Sequence, residues 1–216
     1  MANRAKLRIL ILGGTGGTGR ALIGQALGRG HEVTVLARRP ETLRPLAHPR
    51  LHVIAGDAIC GDASEAFAGQ DAVLSAIGTR ERLRDVRLYS ATMRATLATM
   101  EECGVRRLVF VSAAGAGDAR NPSVPWLFRT IVIPLLAGRE YDDMARAEAI
   151  AEASAAQWTA VRPLWLRGGD ARGVYRLAEA PFTPRRWGVS RADLAAVMLD
   201  LAETGAHARA RVWVAY

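Results

Sequence analysis

Five of the ten residues in ILGGTGGTGR, residues 11–20, are glycines, and Gly13, Gly16 and Gly19 are spaced three apart. A backbone without side chains can come close to a phosphate, a pyrophosphate or a neighbouring helix. At the start of a helix, the backbone N–H groups also bind anions. The loop of nucleoside triphosphatases is excluded, because the Gly-Lys-Ser/Thr sequence that ends such a loop is absent.

The residues around the glycines narrow the choice of ligand. LRILIL (7–12) has the continuous apolar character of a strand buried on both faces, TGRALIGQALGRG (18–30) has apolar residues at helical spacing, and EVTVLA (32–37) is typical of a second strand. Glycines between the first strand and the helix of such a unit allow a tight turn, the approach of a dinucleotide pyrophosphate and close helix packing. Gly13 is predicted to allow the turn, Gly16 the approach of the pyrophosphate and Gly19 the packing of the helix, and hydroxyls can add hydrogen bonds. The cofactor-binding residues predicted in the loop are Gly13, Thr15, Gly16, Gly17, Thr18 and Gly19.

Two arginines follow the second strand, at the point where a dinucleotide-binding unit holds the adenosine ribose. Units that bind NAD carry Asp or Glu there for the ribose 2′-hydroxyl, whereas this chain has Ala37, Arg38 and Arg39. Guanidinium groups bind a 2′-phosphate bidentately and stack on adenine. Unless both arginines are only solvated surface residues, they predict that NADP(H) is preferred over NAD(H).

Two further strands end in residues suited to the same crevice, because ligands of open α/β sheets bind at the carboxyl ends of the strands. Asp57 and Ala58 follow the third strand, and the carboxylate of Asp57 can accept a hydrogen bond from the adenine amino group. Ala76, Ile77 and Gly78 end the fourth strand and offer a backbone of small residues to the adenosine ribose. We expect all five residues in the cofactor site.

Strand and helix patterns alternate from one end of the chain to the other. The later strands are predicted at 51–56, 71–78, 106–113 and 158–163, with an edge strand at 211–216, and the later helices at 85–102, 139–155 and 189–203, the last with Ser190 as its N-cap. This alternation predicts an α/β fold with a doubly wound parallel sheet, the Rossmann fold, in a single domain over residues 1–216.

The composition argues against several other classes of protein. The formal net charge is +8, but the arginines are spread through the chain instead of forming one basic face, so nucleic-acid binding is not expected. Cys60 and Cys103 lack the spacing of metal ligands, and no metal site is expected. The apolar runs are too short for a membrane span or a signal peptide. We therefore expect a cytoplasmic protein, a monomer or homodimer, that acts on a small molecule.

Six motifs are spread over nearly the whole chain: GGTGGTG (13–19), VLARRP (35–40), AGDA (55–58), LVFVSAAGAG (108–117), WTAVRP (158–163) and VSRADLAAVML (189–199). Through them the chain resembles the atypical short-chain dehydrogenase/reductase group, which has NAD(P)H-binding, NmrA-like domains. Within that group it is similar to the small single-domain enzymes of the biliverdin-IXβ/flavin reductase type. The resemblance implies a fold and a cofactor, and it does not specify a substrate.

The resemblance also implies the surroundings of the nicotinamide. Ser112, after the fifth strand, is expected beside the ring, where its hydroxyl hydrogen-bonds a substrate carbonyl or the carboxamide, and Pro163 is expected to back the pocket. The substrate is expected beneath residues 114–138 and beside 165–188, which are rich in aromatic and arginine side chains suited to a flat, acidic ligand. These are Trp126, Leu127, Phe128, Trp165, Tyr175, Phe182 and Trp187, with Arg129, Arg167, Arg172, Arg185 and Arg186. Ordinary packing is the alternative role for most of them.

The chain departs from the family at the proton donor. The main branch of the superfamily uses a Tyr-x-x-x-Lys pair, in which the lysine lowers the pKa of the tyrosine. Tyr141 matches the tyrosine, but Ala145 stands at the lysine position, Met144 stands where atypical relatives often carry a lysine, and Lys6 is the only lysine in the chain. Three possibilities follow: Tyr141 acts without a lysine, Ser112 and solvent supply the proton, or the protein binds its cofactor without turnover.

The sequence therefore predicts an NADPH-dependent oxidoreductase with Ser112 and Tyr141 as its catalytic residues. The expected acceptor is small and conjugated or aromatic, such as a flavin, quinone, tetrapyrrole or polyketide-like carbonyl, because a good hydride acceptor needs positioning more than a strong acid. Two alternatives remain open: a non-catalytic NADP(H)-binding sensor or regulator of the NmrA type, and an isomerase or epimerase with tightly held cofactor.

Overall fold

The structure is a computed structural model that describes residues 5–60, 63–78, 87–117, 138–186 and 188–216. Its strands are β1 (Arg8–Leu12), β2 (Glu32–Ala37), β3 (Leu51–Ala55), β4 (Ala72–Ser75), β5 (Arg107–Val111), β6 (Gln157–Pro163), β7 (Leu166–Arg167), β8 (Arg176–Ala178), β9 (Val189–Ser190) and β10 (Ala210–Ala215). Its helices are α1 (Gly17–Gly28), α2 (Ser64–Phe67), α3 (Leu88–Glu102), α4 (Gly138–Ala153) and α5 (Arg191–Thr204), with a 3₁₀ helix at Pro40–Leu46.

A central eight-stranded sheet has the order β3-β2-β1-β4-β5-β6-β10-β8. Each neighbouring pair from β3 to β10 is parallel, and the sheet ends in an antiparallel β10–β8 pair. This confirms the predicted doubly wound parallel sheet of the Rossmann fold. The strand order reverses between β1 and β4, and it is at such a switch point that a crevice for a ligand opens above the carboxyl ends of the strands.

Both faces of the sheet are buried, which explains why β1 is an unbroken apolar run. Ile9 and Ile11 pack in one core with side chains of α1 and α5, and Leu10 and Leu12 pack in the opposite core with side chains of α2, α3 and α4. Alternate side chains of a strand point to opposite faces, so a strand covered on both sides is apolar at every position.

The predicted edge strand at the C-terminus is wrong in one respect. β10 forms with the expected sequence, but it lies between β6 and β8 and is not an edge. The edge is β8, which pairs antiparallel with β10 through Trp213 and Ala178, Val214 and Leu177, and Ala215 and Arg176. β8 has only three residues in a segment rich in Arg, Gly and Pro, so no apolar alternation marked it in the sequence.

Polar contacts fasten α1 to α5 on one face of the sheet. The Gln25 side chain donates to the carbonyl of Ala192 at 2.8 Å, and Arg29 donates to the carboxylates of Asp200 and Glu203, both at 2.8 Å. The start of α5 is capped as predicted, because the Ser190 hydroxyl accepts from the backbone N–H of the residue three further on. The two helix N-termini are therefore held in a fixed relation at the crevice edge of the sheet.

Candidate cofactor site

The glycine loop joins β1 to α1, and two of its glycines are required by the backbone itself. Gly13 has φ +79°, and a Cβ there would lie 2.7 Å from the carbonyl carbon of Ala76. A Cβ on Gly19 would lie 2.2 Å from the carbonyl oxygen of Gly13. These contacts bring the ends of β1 and β4 together and close α1 against the loop, so Gly13 and Gly19 are explained by packing.

Gly16 is different, because no atom of the described residues explains its lack of a side chain. Within that part of the chain, the nearest atom outside its own neighbours to a Cβ there would be the carbonyl oxygen of Gly13, at 3.4 Å, and Gly16 is exposed. Gly16 is the N-cap of α1 and supplies no side-chain cap, and Thr15 beside it is also exposed. N–H groups in the first turn of a helix have no acceptor within the helix, and with open space over the glycine they fit an anionic group such as a pyrophosphate.

The other predicted loop residues lie around Gly16. Thr18 is buried in the first turn of α1. A Cβ on Gly17 would lie 2.7 Å from Cδ of Arg191, which belongs to the first turn of α5. The structure thus brings a residue from the C-terminal part of the chain into the loop, and neither the glycine spacing nor any nearby motif had indicated it.

Arg38 and Arg39 are exposed directly after β2, and neither has an ion pair with any residue that the structure describes. The neighbouring 3₁₀ helix is fixed to the glycine loop by Arg20, whose side chain donates to the carbonyls of Thr15 at 3.3 Å and Thr42 at 2.8 Å. The two free guanidinium groups therefore stand at the same edge of the sheet as the loop, which suits a phosphate on the adenosine ribose.

The ends of β3 and β4 lie at this edge as well. Asp57 is half-buried and accepts a hydrogen bond from the backbone N–H of Ile59 at 2.9 Å, which engages one of its carboxylate oxygens. Ala58 packs beside the core of the α3 and α4 face, as does Ile77. Ala76 lies against Gly13, and Gly78, further along the same edge, is exposed.

A cavity of about 20 Å³ lies below the ends of β4 and β5, between α3 and α4, which is space for about one water. Its lining includes Ile77, Ser112 and Met144. The hydroxyls of Thr92 and Thr96, also in the lining, are buried and have no hydrogen-bond partner among the described residues. The floor of the crevice at this point is thus apolar with two unpaired hydroxyl groups.

Ser112 is buried after β5, and its hydroxyl donates to the carboxylate of Glu148 at 2.5 Å. Glu148 is itself buried and is bound by two arginines: Arg162 donates from Nε at 2.8 Å and also from its terminal nitrogen, and Arg211 donates from Nε at 2.8 Å. The hydrogen of the Ser112 hydroxyl is therefore directed at Glu148. Toward the crevice, the serine oxygen offers lone pairs, so it can accept a hydrogen bond rather than donate one.

Glu148 and Arg162 are site residues that the sequence reasoning missed. Arg162 lies within the quoted motif WTAVRP, and a charged residue near the end of a buried strand was an available signal. Glu148 had no such signal, because nothing in the sequence distinguishes it from Asp142 and Glu152, which are exposed on the same helix. Pro163 follows Arg162 at the end of β6, and it is buried with its carbonyl accepting from the N–H of Ala114 at 3.1 Å.

Tyr141 lies half-buried in the first turn of α4 and packs against the core between α3 and α4. Met144 is buried in the cavity wall, and Ala145 contacts Gly117. A second tyrosine, Tyr89 on α3, lines the same cavity and donates from its hydroxyl to Glu140 of α4 at 2.6 Å. Neither of the positions at which the family carries a lysine holds a titratable side chain.

The predicted substrate segments are described only in part. Trp126, Leu127, Phe128, Arg129 and Trp187 lie outside the described residues. Of the others, Phe182 is buried under the guanidinium of Arg176, and the Tyr175 hydroxyl donates to Asp200 at 3.4 Å, so both are packing residues.

Other side chains of the segment at 165–188 remain available to a ligand. Trp165 is 58% exposed after β6, and three arginines of the same segment are exposed as well: Arg167, Arg185 and Arg186. The guanidinium of Arg172, in contrast, stacks on Tyr216 at 4.6 Å. Stacking on Trp165 together with charge from the exposed arginines suits a flat acidic molecule.

Among the described residues, no three His, Cys, Asp or Glu side chains are grouped closely enough to hold a metal ion. Within the same part of the chain, every helix is too short or too polar to cross a membrane.

Comparison with known proteins identifies the class of fold and cofactor. The model of the NAD(P)H-binding family matches residues 13–204. The protein named oxidoreductase aflX, from Aspergillus parasiticus, is 29% identical over 211 residues, which cover 91% of this chain and 77% of that protein. The family-model match runs from the glycine loop after β1 to the end of α5.

Two solved structures have the same fold. The anaerobilin reductase ChuY from Escherichia coli O157:H7 superposes with a TM-score of 0.77 at 22% identity, covering 96% of each chain. A short-chain dehydrogenase/reductase from Veillonella parvula, solved in complex with NADP, superposes with a TM-score of 0.78 at 21% identity and covers 98% of this chain and 95% of its own.

Proposed function

The chain belongs to the NAD(P)H-binding family, and we propose on that basis that it is an NADPH-dependent oxidoreductase that reduces a small conjugated or aromatic acceptor. The observation that carries the proposal is the open space over Gly16 at the N-terminus of α1, together with a buried serine, Ser112, that follows β5 at the same edge of the sheet. The first holds the pyrophosphate, and the second lies where the nicotinamide half of the cofactor ends.

The preference for NADPH over NADH rests on Arg38 and Arg39. Both are exposed and unpaired with any described residue, and the residue before them is Ala37, with no carboxylate at the end of β2. Asp57 is proposed to hold the adenine amino group, and Ala58, Ala76, Ile77 and Gly78 to line the adenosine pocket. A 2′-phosphate gains charge-assisted hydrogen bonds from the arginines, which NADH cannot form.

When bound, the reduced nicotinamide supplies the hydride. Ser112 is proposed to hold the carboxamide by accepting a hydrogen bond from its amino group, because the serine hydrogen is directed at Glu148. This favours the carboxamide over a substrate carbonyl as the partner of Ser112. Pro163 is proposed to back the ring from the end of β6, where it is buried.

Tyr141 is proposed as the residue that donates a proton to the reduced acceptor. With Ala145 and Met144 at the two lysine positions, Tyr141 has no lysine at either spacing at which the family places one beside its tyrosine. A conjugated acceptor tolerates this, since its reduction depends more on orientation than on a strong acid. This argument favours flavins, quinones, tetrapyrroles or polyketide-like carbonyls over isolated ketones.

The relatives are compatible with such acceptors, since one is named an oxidoreductase and another an anaerobilin reductase. The exposed Trp165, in a segment that also contains exposed arginines, favours a flat acidic molecule over an aliphatic one. We further propose that the chain is a single cofactor-binding domain that works on small molecules in the cytoplasm.

The experiment is a screen of NADPH oxidation with FMN, a quinone, biliverdin and an aromatic ketone. Acceptor-dependent oxidation with at least one of them, faster with NADPH than with NADH, is the expected result. Tight NADPH binding without oxidation by any acceptor would instead support the second candidate, a non-catalytic NADP(H)-binding sensor. The observation that favours the sensor is the absence of a lysine at either family position. An isomerase or epimerase would retain its cofactor through turnover and show no net oxidation.

A further inference from the structure

Arg191 is the first residue of α5, and its side chain lies over the first turn of α1. A Cβ on Gly17 would be 2.7 Å from Cδ of Arg191 and 3.2 Å from its Nε. Gly17 is the first residue of α1 and directly follows Gly16, the glycine with open space above it. The absence of a side chain at Gly17 therefore makes room for an arginine from a part of the chain more than 170 residues away.

No hydrogen bond or ion pair joins the Arg191 guanidinium to any described residue, although the side chain is half-buried. The nearest acidic residue in sequence, Asp193, is already engaged: it accepts from the backbone N–H groups of Arg172 and Gly173 and from the hydroxyls of Ser190 and Tyr216. Arg29, further along the same pair of helices, shows the contrast, because it binds two carboxylates.

The position is also electrostatically unfavourable for a cation in the absence of a ligand. Arg191 occupies the first turn of α5 and overlies the first turn of α1, so it lies at two helix N-termini, each of which carries partial positive charge. A cation in the first turn of a helix is destabilising. The one acid in the first turn of α5, Asp193, is engaged by backbone N–H groups and hydroxyls and does not pair with the Arg191 guanidinium. An anion between the two helix ends and the guanidinium would be bound by all three groups.

We propose that Arg191 binds the pyrophosphate of the dinucleotide, closing the glycine loop from the side of α5. This proposal rests on the proposed cofactor site at Gly16. In it, Arg38 and Arg39 bind the 2′-phosphate that distinguishes NADPH from NADH. Arg191 binds the pyrophosphate, which both cofactors share. Its backbone is fixed for this role by the Ser190 cap and by the bond from Gln25 to Ala192.

The test is the dissociation constant of NADPH and of NADH, measured separately for the wild type, R191Q, R191K and the control R106Q. Arg106 is exposed and precedes β5 at the opposite edge of the sheet, so R106Q removes the same charge far from the crevice. Loss of a charge-assisted bond is expected to weaken both cofactors by the same factor, about 10- to 100-fold, in R191Q. R191K should lose less, since it keeps the charge without the bidentate geometry.

Thermal unfolding without cofactor provides the second readout. Because Arg191 is unpaired at two helix N-termini, R191Q is expected to unfold at the same temperature as the wild type or higher, and to show a smaller rise on adding NADPH. A lower Tm in R191Q, a loss confined to NADPH, or affinities unchanged within twofold would overturn the proposal. If R191Q weakens both cofactors equally but none of the acceptors supports NADPH oxidation by the wild type, the proposed oxidoreductase activity is refuted. The role of Arg191 in binding the pyrophosphate is then still supported.

Discussion

The buried carboxylate of Glu148 provides the sharpest prediction about stability. It is 1% exposed and is bound by Arg162, which is 5% exposed, by Arg211 and by the hydroxyl of Ser112. In E148Q the shape of the side chain is kept, but Arg162 becomes a buried cation without an anion. The amide oxygen that E148Q introduces can still accept one hydrogen bond from Arg162, and the guanidinium keeps its stacking on Trp213 at 4.8 Å, but neither contact replaces the lost negative charge.

The size of the effect follows from the burial of the pair. Removing one partner of a buried ion pair costs about 3–5 kcal/mol, because the other charge is left unpaired. Arg211 is partly exposed and keeps its bond to Glu152, so the lower end, about 3 kcal/mol, is expected here. For a chain of this length, 1 kcal/mol lowers Tm by about 2–4 °C, so E148Q should unfold roughly 10 °C below the wild type.

The control is E152Q, which removes the exposed carboxylate bound to the same Arg211. Circular dichroism during heating should show little change in Tm for E152Q and the large decrease for E148Q. If the two variants unfold at the same temperature, Glu148 does not hold a buried charge network, and the proposed direction of the Ser112 hydrogen fails with it.

Three other predictions concern the cofactor site and the C-terminal helix. G16A should weaken NADPH binding about 10- to 100-fold, as measured by titration of NADPH fluorescence, because a methyl group fills the space over the loop. In the control G24A, a Cβ meets no atom within 4 Å. G24A should therefore leave NADPH binding unchanged and raise Tm. S112A should lower kcat about 5- to 10-fold in steady-state assays while the dissociation constant of NADPH stays within threefold, and an unchanged kcat would remove Ser112 from the site. Burial, the largest single influence, raises the pKa of Asp193, but the hydrogen bonds it accepts, first that of the Arg172 backbone, lower its pKa overall. The difference in Tm between wild type and D193N should therefore be largest above pH about 4 and narrow as the pH falls below that value. A difference in Tm that is constant from pH 7 to pH 3 would contradict this prediction.

The sequence predicted the fold because its strongest patterns are local. The unbroken apolar run of β1, the glycines after it and the helical spacing of α1 define one unit, and the same alternation repeats along the chain. The antiparallel strand β8 was not predicted, because three residues carry too little pattern to be recognised. Its pairing depends on β10, which lies more than 30 residues further on.

The part of the site that is formed by backbone, the glycine loop, could be predicted from the sequence. The part that depends on side chains from distant strands and helices, around Glu148, could not. Glycine spacing located the loop, and the structure shows which glycines are needed for packing and which one leaves space. Glu148 and Glu152 are four residues apart on one helix, so helical spacing places both on the same side of α4. Glu148 is nevertheless buried and Glu152 exposed. The difference comes from contacts with the arginines of β6 and β10, which the spacing along the helix does not reveal.

Hydride transfer from NADPH is the central claim, and its most direct measurement is the rate of acceptor-dependent NADPH oxidation with and without deuterium at nicotinamide C4. The account predicts oxidation that requires both protein and acceptor, that is slower with the deuterated cofactor, and that loses its preference for NADPH over NADH when Arg38 and Arg39 are replaced by alanine. Tight NADPH binding with no acceptor-dependent oxidation would contradict it.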